Sequence, residues 1–243
     1  MTHWGITMNK KITAIVLAAG QGKRMNIPVA KQFLILRERP VLYYSLKSFQ
    51  DSLVDEIIIV TGKEQLEYCR EHIVAPYPFS KVQAVIEGGK ERYDSVFKAL
   101  EYTTKSDYVL IHDGARPFIT IEMINHIINE VKSVGACIFG TPVKDTIKVV
   151  DNDGFIKKTP DRSTLWAAQT PQAFDYLDIK RAYEKYYEDR NPNKNTITDD
   201  AMVYQEYIKK RVKIIQGDYT NIKLTTKEDI QLADKILENQ TYA

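Results

Sequence analysis

Short apolar runs alternate along the chain with stretches that carry a helical repeat. Residues 12–17, 56–60, 82–86, 108–112, 136–140 and 212–215 are rich in Ile and Val and read as buried strands. Between them, residues 41–50, 64–73, 91–103 and 121–134 repeat with helical spacing. In the third of these, Tyr93, Val96, Phe97 and Leu100 share one face. Strands alternating with helices predict βαβ units and a mainly parallel sheet of the α/β class. No repeat or low-complexity tract interrupts the series, so residues 1–243 read as one domain, with residues 1–10 peripheral.

Residues 142–159 break the alternation. Two extended stretches, 146–150 and 155–158, flank Asp151-Asn152-Asp153-Gly154, a strong turn signal, and predict a β-hairpin. Its apolar positions (Ile147, Val149, Ile156) are interleaved with Lys148 and Lys157. A hairpin that buries so little by itself is expected to act as a lid or as an arm gripping another chain.

Composition narrows the function classes. The 243 residues are 44% hydrophobic and 27% charged, ordinary for a globular protein, and the net charge of +2 argues against a broad nucleic-acid surface. The short Lys209-Lys210-Arg211 run suits a solvated helix end. No apolar run is long enough to span a bilayer, and residues 1–11 lack the apolar core of a signal peptide, so a cytoplasmic enzyme is expected. Cys69, Cys137 and the four histidines show no metal-ligand spacing, and Cys137 reads as a small core residue. No metal site made by protein ligands alone is expected.

Candidate chemistry gathers where the predicted strands end. The first runs into Leu17-Ala18-Ala19-Gly20-Gln21-Gly22-Lys23-Arg24-Met25, with Lys31 one short loop later. Tight turns, close backbone donors and cations are what phosphate binding needs. The spacing is neither that of a Walker A loop, which lacks its hydroxyl here, nor that of a dinucleotide fingerprint, where Met25 replaces a small residue. The third strand ends in Glu87-Gly88-Gly89-Lys90-Glu91-Arg92, followed by Asp94 and Ser95; the fourth ends in His112-Asp113-Gly114-Ala115-Arg116-Pro117. Ligands of open α/β sheets bind at this rim. Each residue also has an ordinary structural reading. Gly88-Gly89 can be a turn, Ser95 an exposed first-turn residue, Asp113 a helix cap or turn residue paired with Arg116, Trp166 core, and Lys223 the end of a strand before a helix capped by Thr226. Thr198-Asp199-Asp200 reads equally as a helix N-cap with first-turn acids.

These segments recur in one order with Lys31-Gln32-Phe33, Pro142-Val143-Lys144-Asp145-Thr146, Arg162, Leu165-Trp166, Gln169-Thr170-Pro171-Gln172, Thr198-Asp199-Asp200 and Asn221-Ile222-Lys223. Over about residues 11–238 the chain resembles the 2-C-methyl-D-erythritol 4-phosphate cytidylyltransferases of the non-mevalonate isoprenoid pathway. The ribitol-5-phosphate cytidylyltransferases are the nearest alternative, and residues 159–166 favour the erythritol enzymes. A nucleotide-binding module without transferase activity is the alternative from another class.

The resemblance implies a Rossmann-like sheet with helices on both faces and a protruding hairpin arm. It implies transfer of CMP from CTP to the polyol phosphate with release of pyrophosphate. Arg24, Lys31 and Lys223 would surround the reacting phosphates, with Gly20 and Gly22 offering backbone donors. Ala18, Ala19, Gly89 and Ser95 would border cytosine and ribose. Asp113 would face both nucleotide and acceptor, and Arg116, Thr146 and Arg162 would bind the acceptor. Mg²⁺ or another divalent cation would be held mainly by the CTP phosphates, near Asp113. The 142–159 arm would make a homodimer in which Thr146 and Arg162 serve the partner's site. A phosphate-monoester nucleophile is already an anion, which agrees with the absence of any convincing nucleophile–base pair.

Overall fold

The computed structural model describes residues 10–20, 30–191 and 197–241. In chain order its strands are β1 (Ile12–Ala18), β2 (Ile35–Leu36), β3 (Arg39–Pro40), β4 (Glu56–Thr61), β5 (Val82–Glu87), β6 (Tyr108–Asp113), β7 (Ala136–Pro142), β8 (Val149–Val150), β9 (Ile156–Lys158), β10 (Trp166–Asp175) and β11 (Lys213–Gln216). The α-helices are α1 (Val41–Asp51), α2 (Leu66–Tyr68), α3 (Arg92–Tyr102), α4 (Ile121–Val134), α5 (Tyr176–Glu188), α6 (Asp200–Ile208) and α7 (Lys227–Thr241).

Seven strands form one sheet in the order β11-β7-β10-β6-β1-β4-β5. β1 lies parallel to both β4 and β6, β4 to β5, and β7 to β11. Only β10 runs antiparallel, against β6 and β7. The period of two places alternate β1 residues on opposite faces. Ala14, Val16 and Ala18 pack with α1 and α4 through Leu46, Phe49, Ile127 and Val131. Ile15 packs on the other face with α3, α5 and α6 through Val96, Leu100, Tyr183 and Tyr204. Helices therefore cover both faces, and β1 is apolar throughout because no face of it meets water.

The six predicted strands are present with ends shifted by a residue or two. The 64–73 helix is instead broken into a 3-10 turn (Lys63–Gln65), α2 and a π-helical segment (Cys69–Val74) that buries Cys69 and Ile73. The hairpin strands shorten to β8 and β9, a two-stranded sheet of their own, with Gly154 at φ +86° in the turn. Pattern reading missed β10, because Gln169-Thr170-Pro171-Gln172 shows no apolar alternation and carries a proline. The register of β10 on β7 breaks between Ala168 and Gln172, so Pro171 sits where the ladder is interrupted. Trp166 is not core: it stands exposed at the start of β10. Cys137 is fully buried, as expected. Among the described residues no helix is long and apolar enough to cross a membrane.

Candidate active site

The ends of β1, β5 and β6 surround a cleft of about 930 Å³. Its walls include Ala19, Gly20, Lys31, Gly89, Ser95, Asp113 and Lys223. Local structure fixes each. Gln32, buried in the 3-10 turn Lys31–Phe33, donates from Nε2 to the carbonyls of Ala18 and Gly20 (3.1 Å to the latter). It thereby ties the end of β1 to the turn that carries Lys31. Gly22 and Arg24 lie outside the described residues.

Another part of the lining is a shelf of close backbone. A Cβ on Gly88 would fall 2.7 Å from Ser95 Oγ and 2.9 Å from Ala19 Cβ, so only glycine fits there. Ser95 is buried rather than exposed. Its Oγ accepts the Gly89 N–H at 3.0 Å and donates to the Glu91 carbonyl at 3.2 Å. Glu91 and Asp94 close a reciprocal capping box that starts α3 directly behind this shelf.

Asp113 terminates β6 and is a charged hub, not a helix cap. Its Oδ2 accepts from Lys223 Nζ at 2.6 Å and its Oδ1 from Arg92 Nε at 3.1 Å. Burial alone would push the carboxyl up, but Arg92 and Lys223 outweigh it and hold Asp113 well below the usual carboxylate range. Lys223 arrives from a segment that is neither strand nor helix, pinned by the Leu224 N–H on the Ala115 carbonyl at 2.8 Å and by fully buried Leu224. Thr226 directly precedes α7, and Asp229 in the first turn reaches back to accept from the N–H groups of Thr225 and Thr226.

Arg116 does not pair with Asp113. Its guanidinium donates to the carbonyls of Asn221 (2.6 Å) and Ala168 (3.5 Å), bracing the Lys223 segment against β10. Thr146 and Arg162 do not border the cleft. Thr146 is exposed in the hairpin, and Arg162 donates to the Lys144 carbonyl at 2.8 Å beside a second cavity of about 580 Å³ that includes Trp166. Pattern reading placed neither Arg92 nor Gln32 among the site residues. The signal for Arg92 was its position in the same loop as Gly88-Gly89; its partners lie far along the chain.

A Rossmann-like sheet whose strand ends carry a glycine shelf and a cluster of cations around one cleft has the architecture of the nucleotide-binding transferases of the nucleotidyltransferase class. The family model described as IspD, 2-C-methyl-D-erythritol 4-phosphate cytidylyltransferase, matches residues 12–239, and the chain belongs to that family of CTP-dependent cytidylyltransferases. A relative of that name from Lachnoclostridium phytofermentans is 49% identical over 234 residues, covering 96% of this chain and 99% of its own. One from Lachnospira eligens is 49% identical over 227 residues, covering 93% and 99%. The crystal structure of 4-diphosphocytidyl-2C-methyl-D-erythritol synthase from Anaerococcus prevotii superposes with a TM-score of 0.82 at 35% identity, over 94% of this chain and 96% of that one. Neither the ribitol reading nor the non-catalytic reading is favoured by these matches.

Proposed function

We propose that the 930 Å³ cleft takes CTP against the Gly88–Ser95 shelf and the acceptor phosphate beside Lys223 and Asp113. The observation that carries this reading is that one cleft is lined both by backbone too tight for any side chain, at Gly88, and by the cations Lys31 and Lys223. Small residues Ala19 and Gly89 leave room for a pyrimidine ring, and Ser95 fixes the Gly89 amide beside it, whereas the Ala18 side chain packs into the core and does not border the cleft.

In the reaction a phosphate oxygen of 2-C-methyl-D-erythritol 4-phosphate bonds to the α-phosphorus of CTP. The bond from that phosphorus to the bridging oxygen breaks and pyrophosphate departs with the electron pair. No proton need be removed from the nucleophile. The protein's task is to hold two mutually repelling anions in line and to neutralise charge on the α-phosphate. Lys31 and Lys223 do this in our reading, with Arg24 and the Gly20 and Gly22 amides contributing from the loop after β1. Arg116 shapes the acceptor end by holding the Lys223 segment in place.

Among the described residues no three His, Cys, Asp or Glu side chains gather as a metal site. A hard divalent cation such as Mg²⁺ fits as an ion carried on CTP phosphate oxygens with Asp113 as its protein contact, because each Asp113 oxygen keeps a lone pair beyond its one hydrogen bond. Such an ion would draw charge from the phosphates. The arm offers Val149, Phe155 and Ile156 to solvent, and we assign it to a second copy of the chain, whose cleft would receive Thr146 and Arg162. The chain then works as one catalytic unit per subunit, in the cytoplasm.

The test is pyrophosphate release from CTP and Mg²⁺ with 2-C-methyl-D-erythritol 4-phosphate, run beside ribitol 5-phosphate. Faster release with the erythritol phosphate is expected; a preference for ribitol phosphate would overturn the acceptor assignment and leave the nucleotide site standing.

A further inference from the structure

Two sequence motifs, Gln169-Thr170-Pro171-Gln172 and Thr198-Asp199-Asp200, contribute nothing to the cleft wall, yet they meet behind it. Asp200 is fully buried. Its carboxylate accepts both terminal nitrogens of Arg92, at 3.0 and 2.8 Å, and the Tyr183 hydroxyl at 2.6 Å. The N–H groups of Asp200 and Ala201 both donate to Gln172 Oε1 at 3.0 Å, and Gln172 Nε2 donates to Asp199 at 2.9 Å. The cap of α6 is already supplied by Asp199, whose side chain accepts the Met202 N–H, so the Asp200 carboxylate is not needed there. A buried ion pair is seldom the most stabilising way to fill such a space.

What the pair does is aim Arg92. A guanidinium is a rigid fork, and here its two ends address two different carboxylates. The NH1 and NH2 edge is locked on Asp200, which leaves Nε directed at Asp113 Oδ1 at 3.1 Å. With that oxygen held, Asp113 presents Oδ2 to Lys223. The ladder therefore runs from β10 and α6, through Arg92 on the first turn of α3, to Asp113 and Lys223 in the cleft.

We propose that Asp200, braced by Tyr183 and Gln172, is a positioning residue for cytidylyl transfer. It acts through Arg92 to set the orientation of Asp113 and hence the place of the Lys223 ammonium. The inference rests on the cytidylyltransferase reading of the cleft. It extends that reading to residues that touch neither CTP nor acceptor.

The test is steady-state kinetics of wild type, Asp200→Asn, Arg92→Lys and the double variant, with thermal melting in parallel. Asp200→Asn keeps shape and removes the charge that locks the fork. We expect kcat about tenfold lower with KM for CTP within twofold of wild type, since the nucleotide shelf is untouched. The double variant should be no slower than the slower single variant, because both changes release the same link. Should Asp200→Asn fail to fold, Tyr183→Phe removes only one brace and should lower kcat about threefold at unchanged KM for CTP. A variant that melts earlier but turns over like wild type, or losses that multiply in the double variant, would overturn the inference. A wild-type protein that releases no pyrophosphate with either polyol phosphate would instead overturn the reading of the cleft, and this inference with it.

Discussion

Lys223 and Asp113, separated by 110 positions in the chain, meet in a 2.6 Å ion pair in the wall of the cleft. The lysine is brought there by an irregular segment that packs between Ala115 and α7, and the aspartate by the end of a central strand. The pair holds the ammonium in place, which is the preorganisation that the role proposed for Lys223 requires. Lys223→Ala should lower kcat by about 10²–10³ while the far-ultraviolet circular dichroism stays that of wild type. Turnover within threefold of wild type would remove Lys223 from the reaction.

Gly88 makes a second prediction, about the nucleotide alone. Gly88→Ala would force its methyl against Ser95 Oγ and Ala19 Cβ, both attached to elements that cannot withdraw, β1 and α3. Overpacking of this kind costs about 1–3 kcal/mol. The shelf must shift toward the cleft, so CTP affinity should fall by about tenfold or more, as read by calorimetric titration. Ser95→Ala tests the same wall from behind, since it leaves the Gly89 N–H without its acceptor. Unchanged CTP affinity in both variants would mean that the base lies elsewhere.

Much of this architecture is legible along the chain. β1, β4 and β6 announce themselves because strands buried on both faces of a parallel sheet must be apolar nearly throughout. The loops after β1, β5 and β6 are legible too, since tight turns and phosphate contacts demand glycine and cations at fixed places. What local pattern cannot carry is pairing over distance. Arg92 and Asp200 are 108 positions apart, and Asp200 taken alone is indistinguishable from an ordinary first-turn acid of α6. β10 escapes for a related reason. Its polar centre is satisfied by tertiary partners such as Asn221 Nδ2 on the Thr170 carbonyl (3.0 Å) and Gln169 Nε2 on the Asp218 carbonyl (2.8 Å), none of which shows in its own residues. The π-helical turn at Cys69–Val74 likewise follows the packing of Cys69 and Ile73, not propensity.

The arm supplies a third prediction. β8 and β9 pair only with each other, and Phe155 and Ile156 expose 73% and 62% of their surface, an arrangement that gains stability only when another surface covers it. If the arm joins two copies as proposed, deleting residues 147–157 should lower the mass read by analytical ultracentrifugation from that of a dimer to that of a monomer. It should also raise the KM for the polyol phosphate more than the KM for CTP, because Thr146 and Arg162 are proposed to serve the acceptor in a partner's cleft. An unchanged sedimentation coefficient would remove the arm from any assembly.

The last prediction concerns acid. His112 is fully buried between Thr170 and the Arg116 carbonyl, with Nδ1 3.2 Å from Thr170 Oγ1 and Nε2 3.2 Å from Arg116 O. The Arg116 carbonyl can only accept, so the neutral imidazole carries its proton on Nε2 and its Nδ1 accepts from the Thr170 hydroxyl, whose Oγ1 also accepts the Asp113 N–H at 3.0 Å. Burial holds its pKa down to about 4, against the pull of Asp113. The sign follows from proton counting. Above pH 6.5 the ring is neutral folded or unfolded and the native state keeps its full margin. Between about 6.5 and 4 the unfolded chain takes up a proton that the native ring refuses, so stability falls by at most about 1.4 kcal/mol per pH unit from this group. Asp113, whose carboxyl is depressed, adds a separate loss only once the pH drops below the ordinary carboxylate value of 3.8. Urea unfolding midpoints measured from pH 8 to 4 should therefore decline in the histidine window for wild type. His112→Asn should start lower at pH 8, having lost the link to Thr170, and decline less steeply across that window. Parallel curves for the two proteins would show that another group governs the acid limb.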